Sequence, residues 1–240
     1  MTPQLLTEKL KEICGSRLKS VILHGSAAAG DHTGRRSDYN VLVVLEPLGM
    51  QELKALAGII RNWIKVGNPA PHLFTPKELA GAADVFPLEF ADIKRSHQVL
   101  YGQDLVSDLP VHNEKLRIQL EQELNGKLMQ LRQHYLLAAG NPRQVAELLV
   151  RSLSTFLILF RGVLLLYQPE VPAKKMDAVR ELAKHIPIQV RVFEVIEHLK
   201  RGGKIPGVVP DQLFEEYLQV IVSAVNALDG FWDSNSSKEE

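Results

Sequence analysis

The stretch Ser20-Val21-Ile22-Leu23-His24-Gly25-Ser26 is followed, after a loop, by Ser37-Asp38-Tyr39-Asn40-Val41-Leu42-Val43-Val44-Leu45. Each stretch contains a short apolar run bounded by polar or glycine residues, which predicts a buried β-strand. Gly25-Ser26 predicts a turn whose backbone amides are available to an anion, with the hydroxyl of Ser26 beside them. Because side chains two residues apart share one face of a strand, we expect Asp38 and Asn40 to point the same way.

The composition is typical of a globular protein and excludes several classes of site. The chain has 240 residues, enough for one large or two small domains, and 45% of them are hydrophobic. Lysine plus arginine and aspartate plus glutamate each total 28, so the net charge of zero gives no support for a broad nucleic-acid-binding surface. Cys14 is the single cysteine, which excludes an internal disulfide and favours a reducing, cytoplasmic location.

The sequence predicts neither a signal peptide nor a membrane span. Residues 1–10 alternate polar and apolar side chains and lack a basic segment followed by a long apolar one. The most apolar stretch, 156–167, contains Arg161 and is shorter than the roughly 20 residues that a membrane span needs. We therefore expect no membrane partner.

The hydrophobic periodicity predicts an α/β (α+β) protein, with a small mixed β-sheet domain over 1–110 followed by an all-α helical bundle domain over 111–233 and a disordered tail over 234–240. In the first domain we expect helices over 3–13 and 51–66, a third with Thr75 as its N-cap and a fourth beginning near Pro87, and strands near 20–23, 37–45, 71–75 and 99–102. In the second domain we expect helices over 114–139, 143–168, 176–185, 190–201 and 211–229, with Asp211 as the N-cap of the last. The first is amphipathic, with Leu137 on its apolar stripe, and the second is apolar nearly all round and therefore central to the bundle.

The two strands and their turn resemble the signature of the nucleotidyltransferase superfamily, the group related to DNA polymerase beta and the aminoglycoside nucleotidyltransferases. That signature is Gly-Ser, a spacer, and two acids one residue apart in a hydrophobic strand. Gly25, Ser26 and Asp38 match it, and Asn40 stands where the family has its second acid. The resemblance is strong over 20–45. The helical half resembles, by architecture only, the second domain of the aminoglycoside enzymes.

The resemblance implies a metal-dependent transfer of a nucleoside monophosphate from a nucleoside triphosphate to a hydroxyl of a small-molecule acceptor. It places Asp38 and Asn40 at the catalytic positions, with Asp38 as the ligand of Mg²⁺. Because an amide carries no negative charge, Asn40 weakens the attraction for this cation. The residues expected to bind the nucleotide are Gly25, Ser26, Arg36 and Ser37.

For two further roles, the third acid and the general base, the sequence offers only candidates. The family commonly carries a third acid on the strand after the paired acids, but 71–75 contains no aspartate or glutamate. Glu89 and Asp92 are the nearest substitutes, although both are better explained as charges favoured at a helix N-terminus. The sequence does not identify the general base: Glu89, Asp92, His24 and His72 are its candidates, and a lone histidine is more often structural.

Three functional hypotheses follow. The first is the metal-dependent enzyme. The second is a catalytically degenerate nucleotide-binding or regulatory protein of the same fold, which includes an antitoxin-like protein acting on a protein partner. The third is a structural protein that forms a homodimer through its helical domain. Asn40 discriminates among them best, because an aspartate there would favour the enzyme.

Overall fold

The computed structural model describes residues 1–28, 38–203 and 207–236. The chain divides into two compact units, Met1–Lys115 and Leu116–Glu240. The division lies within the first turns of a helix that begins at Asn113, so it falls slightly after the domain boundary expected at residue 110. The predicted fold class is confirmed: a small mixed sheet with helices comes first, and helices alone follow.

In its described residues, which omit 29–37, the first unit contains four strands and four longer helices: α1 Pro3–Cys14, β1 Leu18–His24, β2 Asn40–Leu45, α2 Met50–Lys65, β3 His72–Phe74, α3 Pro76–Val85, α4 Pro87–Arg95 and β4 His97–Gly102. Each matches an element expected from the sequence. The strand β2 begins at Asn40, so Asp38 precedes the strand and the expectation that both lie within it is wrong.

The four strands form one sheet in the order β3-β2-β1-β4. β1 is antiparallel to both β2 and β4, whereas β2 and β3 are parallel. One face packs against α1 and α2 through a cluster that includes Val21, Val43 and Trp63. The other face packs against α3 and α4 through Ile22 and Leu42. Because both faces are covered, β1 and β2 are continuous apolar runs rather than alternating ones.

Short polar side chains set where two helices of this unit begin. The hydroxyl of Thr2 accepts a hydrogen bond from the amide of Leu5 at the start of α1. At the start of α3, Thr75 and Glu78 form a capping box in which each side chain accepts from the other's backbone amide. The predicted N-cap role of Thr75 is therefore confirmed.

The second unit is helical throughout its described residues, with α5 Asn113–Ala138, which starts in the first unit, α6 Pro142–Tyr167, α7 Lys175–Leu182, α8 Val190–Lys200 and α9 Pro210–Ser236. The helix α6 packs against α7, α8 and α9. At its centre the ring of Tyr217 lies 5.6 Å from that of Phe156 and 5.5 Å from that of Phe193, measured between centroids. The expectation that α6 is the central helix is confirmed.

Three local expectations about this unit are wrong. Asp211 lies inside the first turn of α9 rather than at its N-cap, and its carboxylate accepts a hydrogen bond of 2.8 Å from the hydroxyl of Tyr135. Leu137, expected on the apolar stripe of α5, is 82% exposed. Residues 234–236, expected to be disordered, belong to α9, while 237–240 lie outside the described residues.

One helix of the described residues, α6, is long and apolar enough to cross a membrane by length and composition alone. It spans 26 residues, so the apolar stretch 156–167, on which the expectation of no membrane span rested, is only part of this helix. Within its most apolar window 56% of the residues are buried inside the protein, a property that core helices of globular proteins share.

Candidate nucleotide site

The candidate site lies at the end of the sheet where β1 stops and both of its neighbours begin. His24, the last residue of β1, pairs with Asn40 of β2 on one side and with His97 of β4 on the other. Directly opposed residues of antiparallel strands place their side chains on the same face. The sheet therefore brings together an amide and two imidazoles from three different strands.

The chain turns sharply immediately after His24. Gly25 has φ 76°, a left-handed conformation that side chains other than glycine rarely adopt. A Cβ added at Gly25 would lie 3.2 Å from Nδ2 of Asn40, so the amide side chain of β2 packs directly against this backbone. The turn Gly25–Ala27 that follows is a single 3₁₀ turn.

Hydrogen bonds hold the turn against the start of β4. The amide of Gly25 donates to the carbonyl of Ser96 over 3.2 Å, and the amide of Ala28 donates to the carbonyl of Gly25 over 3.0 Å. The amide of Gly25 is therefore engaged within the protein, contrary to the expectation that it is available to an anion. The next two backbone amides, those of Ser26 and Ala27, have no acceptor within the turn itself.

The other residues expected to bind the nucleotide are only partly described. The backbone of Ser26 forms part of the turn, and its side chain is not among the described ones. Arg36 and Ser37 lie outside the described residues. Asp38 is described and exposed. Its neighbour Tyr39 donates its amide over 3.2 Å to the side-chain oxygen of the buried Asn68, a contact that the sequence did not suggest and that anchors the approach to β2.

His24 is unlike an ordinary surface histidine. Burial, together with the smaller effect of the charges of His72 and His97, lowers its pKa from 6.5 to about 4. Within the described residues, its Nε2 atom is buried without a hydrogen-bond partner. The ring centroid of His72 lies 6.0 Å away, at the exposed start of β3. Since a base with so low a pKa has little affinity for a proton at neutral pH, His24 is poorly suited to the predicted role of general base.

His97 is a site residue that the sequence reasoning missed. Its Nδ1 lies 3.0 Å from the carbonyl of Ile93, and its Nε2 lies 3.1 Å from Oδ2 of Asp104. Burial opposes ionisation of Asp104, but hydrogen bonds from the hydroxyl of Ser107, from His97 and from two backbone amides outweigh it and hold the pKa of Asp104 well below its usual range. His97 thus fastens β4 to the loop that follows it. Its position opposite His24 emerges only from the strand register.

The described residues contain no cluster of side chains typical of a metal site. Among them no group of three or more histidine, cysteine, aspartate or glutamate side chains could hold a metal ion. Of the candidates for a third acid, Glu89 is exposed in the first turn of α4 and Asp92 pairs with Arg95 over 3.0 Å within the same helix. Asp38 and Asn40 together offer one carboxylate and one neutral amide, a weaker donor set than Mg²⁺ prefers.

The fold is that of a nucleotidyltransferase. Over 94% of this chain and 98% of the other, it aligns with the crystal structure of spectinomycin adenyltransferase AAD(9) from Enterococcus faecialis with ATP and spectinomycin, with a TM-score of 0.54 and 15% sequence identity. A crystal structure of a toxin-antitoxin with AMP-PNP covers 55% of this chain and 98% of its own with a TM-score of 0.30 and 17% identity, too low to support an argument. No protein-family model matches the chain, and no curated protein matches it in sequence.

Proposed function

We propose that this protein binds a nucleoside triphosphate at the turn Gly25–Ala27 and does so without the two-metal site of an active nucleotidyltransferase. The observation that carries the proposal is the left-handed Gly25 packed against the amide of Asn40. A backbone turn of this kind has no side chain between its amides and a phosphate. The likeness in fold to an adenyltransferase whose structure contains ATP supports the choice of ligand.

The chemistry of the site supports binding better than transfer. Nucleotide transfer develops charge on the attacking and leaving oxygens, and metal ions are the usual means of stabilising it. Asn40 and the exposed Asp38 provide a single negative charge, and His24 is neutral at pH 7 because its pKa is about 4. A neutral imidazole and an amide can donate hydrogen bonds to a polyphosphate, but neither carries the positive charge that would neutralise the negative charge of the phosphates.

Gly25→Ala is expected to lower the affinity for ATP by about tenfold or more, because the new Cβ forces the turn out of its left-handed conformation and presses on Nδ2 of Asn40. Titration calorimetry with ATP and with GTP measures the affinity, and the rise in melting temperature at saturating nucleotide checks it independently. Gly58→Ala is the matched control, since Gly58 is exposed in α2 and a Cβ there would meet nothing within 4 Å.

The nucleotide proposal is wrong if millimolar ATP and GTP both leave the melting temperature of the wild-type protein unchanged. It is equally wrong if Gly25→Ala, shown by circular dichroism to be folded, binds ATP as tightly as Gly58→Ala does. Loss of affinity in both variants would indicate a general loss of stability, and the turn would then have no special role.

Metal-dependent transfer to a hydroxyl of a small molecule is the second candidate. The specific observation in its favour is that the likeness to the spectinomycin adenyltransferase extends over 94% of this chain and therefore includes the helical unit. Pyrophosphate release from ATP and Mg²⁺ with a panel of hydroxyl-bearing aminocyclitols tests it. Transfer by the wild type that Asp38→Ala abolishes would replace the first proposal with this one.

Asn40→Asp is expected to make ATP binding more dependent on Mg²⁺. The substitution keeps the shape of the side chain and adds the missing negative charge, which is worth about 1 kcal/mol near a divalent cation at a partly solvated site, or about fivefold in affinity. ATP affinity measured in EDTA and in excess Mg²⁺ gives the magnesium effect for each protein. An equal effect in wild type and Asn40→Asp would show that residue 40 does not face the metal-bound phosphates.

A further inference from the structure

The helical unit contains a cleft of about 500 Å³ between the second half of α5 and the first half of α6. The side chains from α5 follow a spacing of three and four residues, as do those from α6, so each helix contributes one continuous face. The residues that line the cleft are Lys127, Gln130, Leu131, His134, Leu137, Ala138, Gln144, Glu147, Leu148, Arg151, Ser152, Thr155 and Phe156. Its volume is within the range of small-molecule sites.

The cleft combines apolar side chains with an excess of positive charge. Leu131 and Phe156 are almost fully buried beneath it, whereas Leu137 is 82% exposed and Leu148 is half-buried. Glu147 is its single acid, and that carboxylate pairs with Arg143 over 3.4 Å. By contrast, Arg151 makes no hydrogen bond or ion pair within the described residues. Glu147 lies one turn before Arg151 on the same face of α6, so the cleft holds this one acid against the two cations Arg151 and Lys127.

The remaining polar groups of the cleft add no negative charge to it. Lys127 contributes a second cation, and its ammonium group makes one long contact of 3.4 Å with the side-chain oxygen of Gln130. Ser152 uses its hydroxyl proton on the carbonyl of Leu149, 3.1 Å away. Lys127 thus adds positive charge to the cleft, whereas the hydroxyl of Ser152 has already donated its proton and adds neither a free donor nor a charge.

We propose that this cleft binds a small organic anion, one whose carboxylate meets Arg151 and Lys127 while an apolar body lies against Leu137 and Leu148. A guanidinium recognises a carboxylate through two parallel hydrogen bonds, a geometry that an ammonium group cannot reproduce. Burial of the apolar body supplies the remaining affinity. This site lies entirely within the helical unit and is independent of the nucleotide proposal.

Calorimetry with 2-naphthoate and with its uncharged analogue 2-naphthamide tests the proposal on the full-length protein without nucleotide. We expect naphthoate to bind and the amide to bind about tenfold more weakly, because only the carboxylate forms charge-assisted hydrogen bonds. Arg151→Gln is expected to lower the affinity for naphthoate by about tenfold and to leave the affinity for the amide unchanged. Glu147→Gln is expected to strengthen naphthoate by about twofold, since it removes the only negative charge of the cleft.

Arg132→Gln is the matched control, because Arg132 is an exposed cation of α5 that does not line the cleft. Its affinity for naphthoate should equal that of the wild type. The proposal is overturned if naphthoate does not bind at millimolar concentration, if the amide binds as tightly as the acid, or if Arg132→Gln and Arg151→Gln weaken naphthoate equally. The last result would indicate a nonspecific charge effect of the whole unit.

Discussion

Gly102→Ala is expected to destabilise the sheet-containing unit by about 3 kcal/mol or more, a larger effect than most single substitutions have. Gly102 ends β4 with φ 78° and pairs with Ser20 of β1. A Cβ at this position would overlap the backbone carbonyl of Lys19. Since the obstacle is backbone rather than a flexible side chain, relief requires the end of β4 to move away from β1.

Urea unfolding followed by tryptophan fluorescence measures this loss. The two tryptophans are Trp63 and Trp232, so a Trp232→Phe background makes the signal report on Trp63, which is fully buried in the first unit. Gly81→Ala is the control, because Gly81 lies within α3 with nothing within 4 Å of an added Cβ, and alanine should stabilise a helix there by about 0.5–1 kcal/mol. A loss below about 1 kcal/mol for Gly102→Ala would show that β4 does not pair with β1 as described.

The second large effect is a loss of stability on mild acidification, caused by His24. Its pKa is lowered from 6.5 in an unfolded chain to about 4 in the folded protein. Between these values the unfolded chain binds the proton and the folded protein does not, so the free energy of unfolding decreases as the pH falls through this window. The full decrease is about 3 kcal/mol, complete near pH 4 and absent above pH 7. Among the described residues, His72 and His97 are the titratable groups whose charges add to this lowering of its pKa.

Replacing His24 with glutamine is expected to flatten this pH dependence, because glutamine fills similar space and cannot be protonated. Urea unfolding at several pH values between 4 and 7 measures the slope for each protein. His134→Gln, at an exposed position of α5, should retain the slope of the wild type. If His24→Gln keeps that slope as well, another group binds the proton on unfolding, and His24 is not held neutral in the folded protein.

The helices and strands of this fold were predictable because short-range sequence patterns determine each of them. The apolar runs of β1 and β2 and the three- to four-residue spacing of buried leucines in α5 determine their type without reference to neighbours. Thr75 and Pro76 mark a helix start in the same way. Asp211 failed as a predicted N-cap because a hydrogen bond to Tyr135, from a distant part of the chain, engages its carboxylate inside the helix.

The candidate site was predictable only in part. Gly25 is a recognisable turn residue, because its conformation is a property of the backbone itself. The roles of His24 and Asn68 were not, since a buried imidazole and a buried amide differ from exposed ones only in what surrounds them. Asp38 illustrates the reverse error: a spacing of two residues predicts a shared face only inside a strand, and β2 begins after it.

By itself, the sequence determined the two-part organisation, the Gly-Ser turn and the absence of the second acid at Asn40, because these depend on residue identity and short-range spacing. The tertiary structure alone decided that Asn40, His24 and His97 stand side by side, since antiparallel register joins residues far apart in the chain. It also decided that His24 is neutral at pH 7, because burial sets the cost of its charge. The cleft beside Arg151 has the same origin: two helical faces were visible in the sequence, and the space between them exists only in the packed protein.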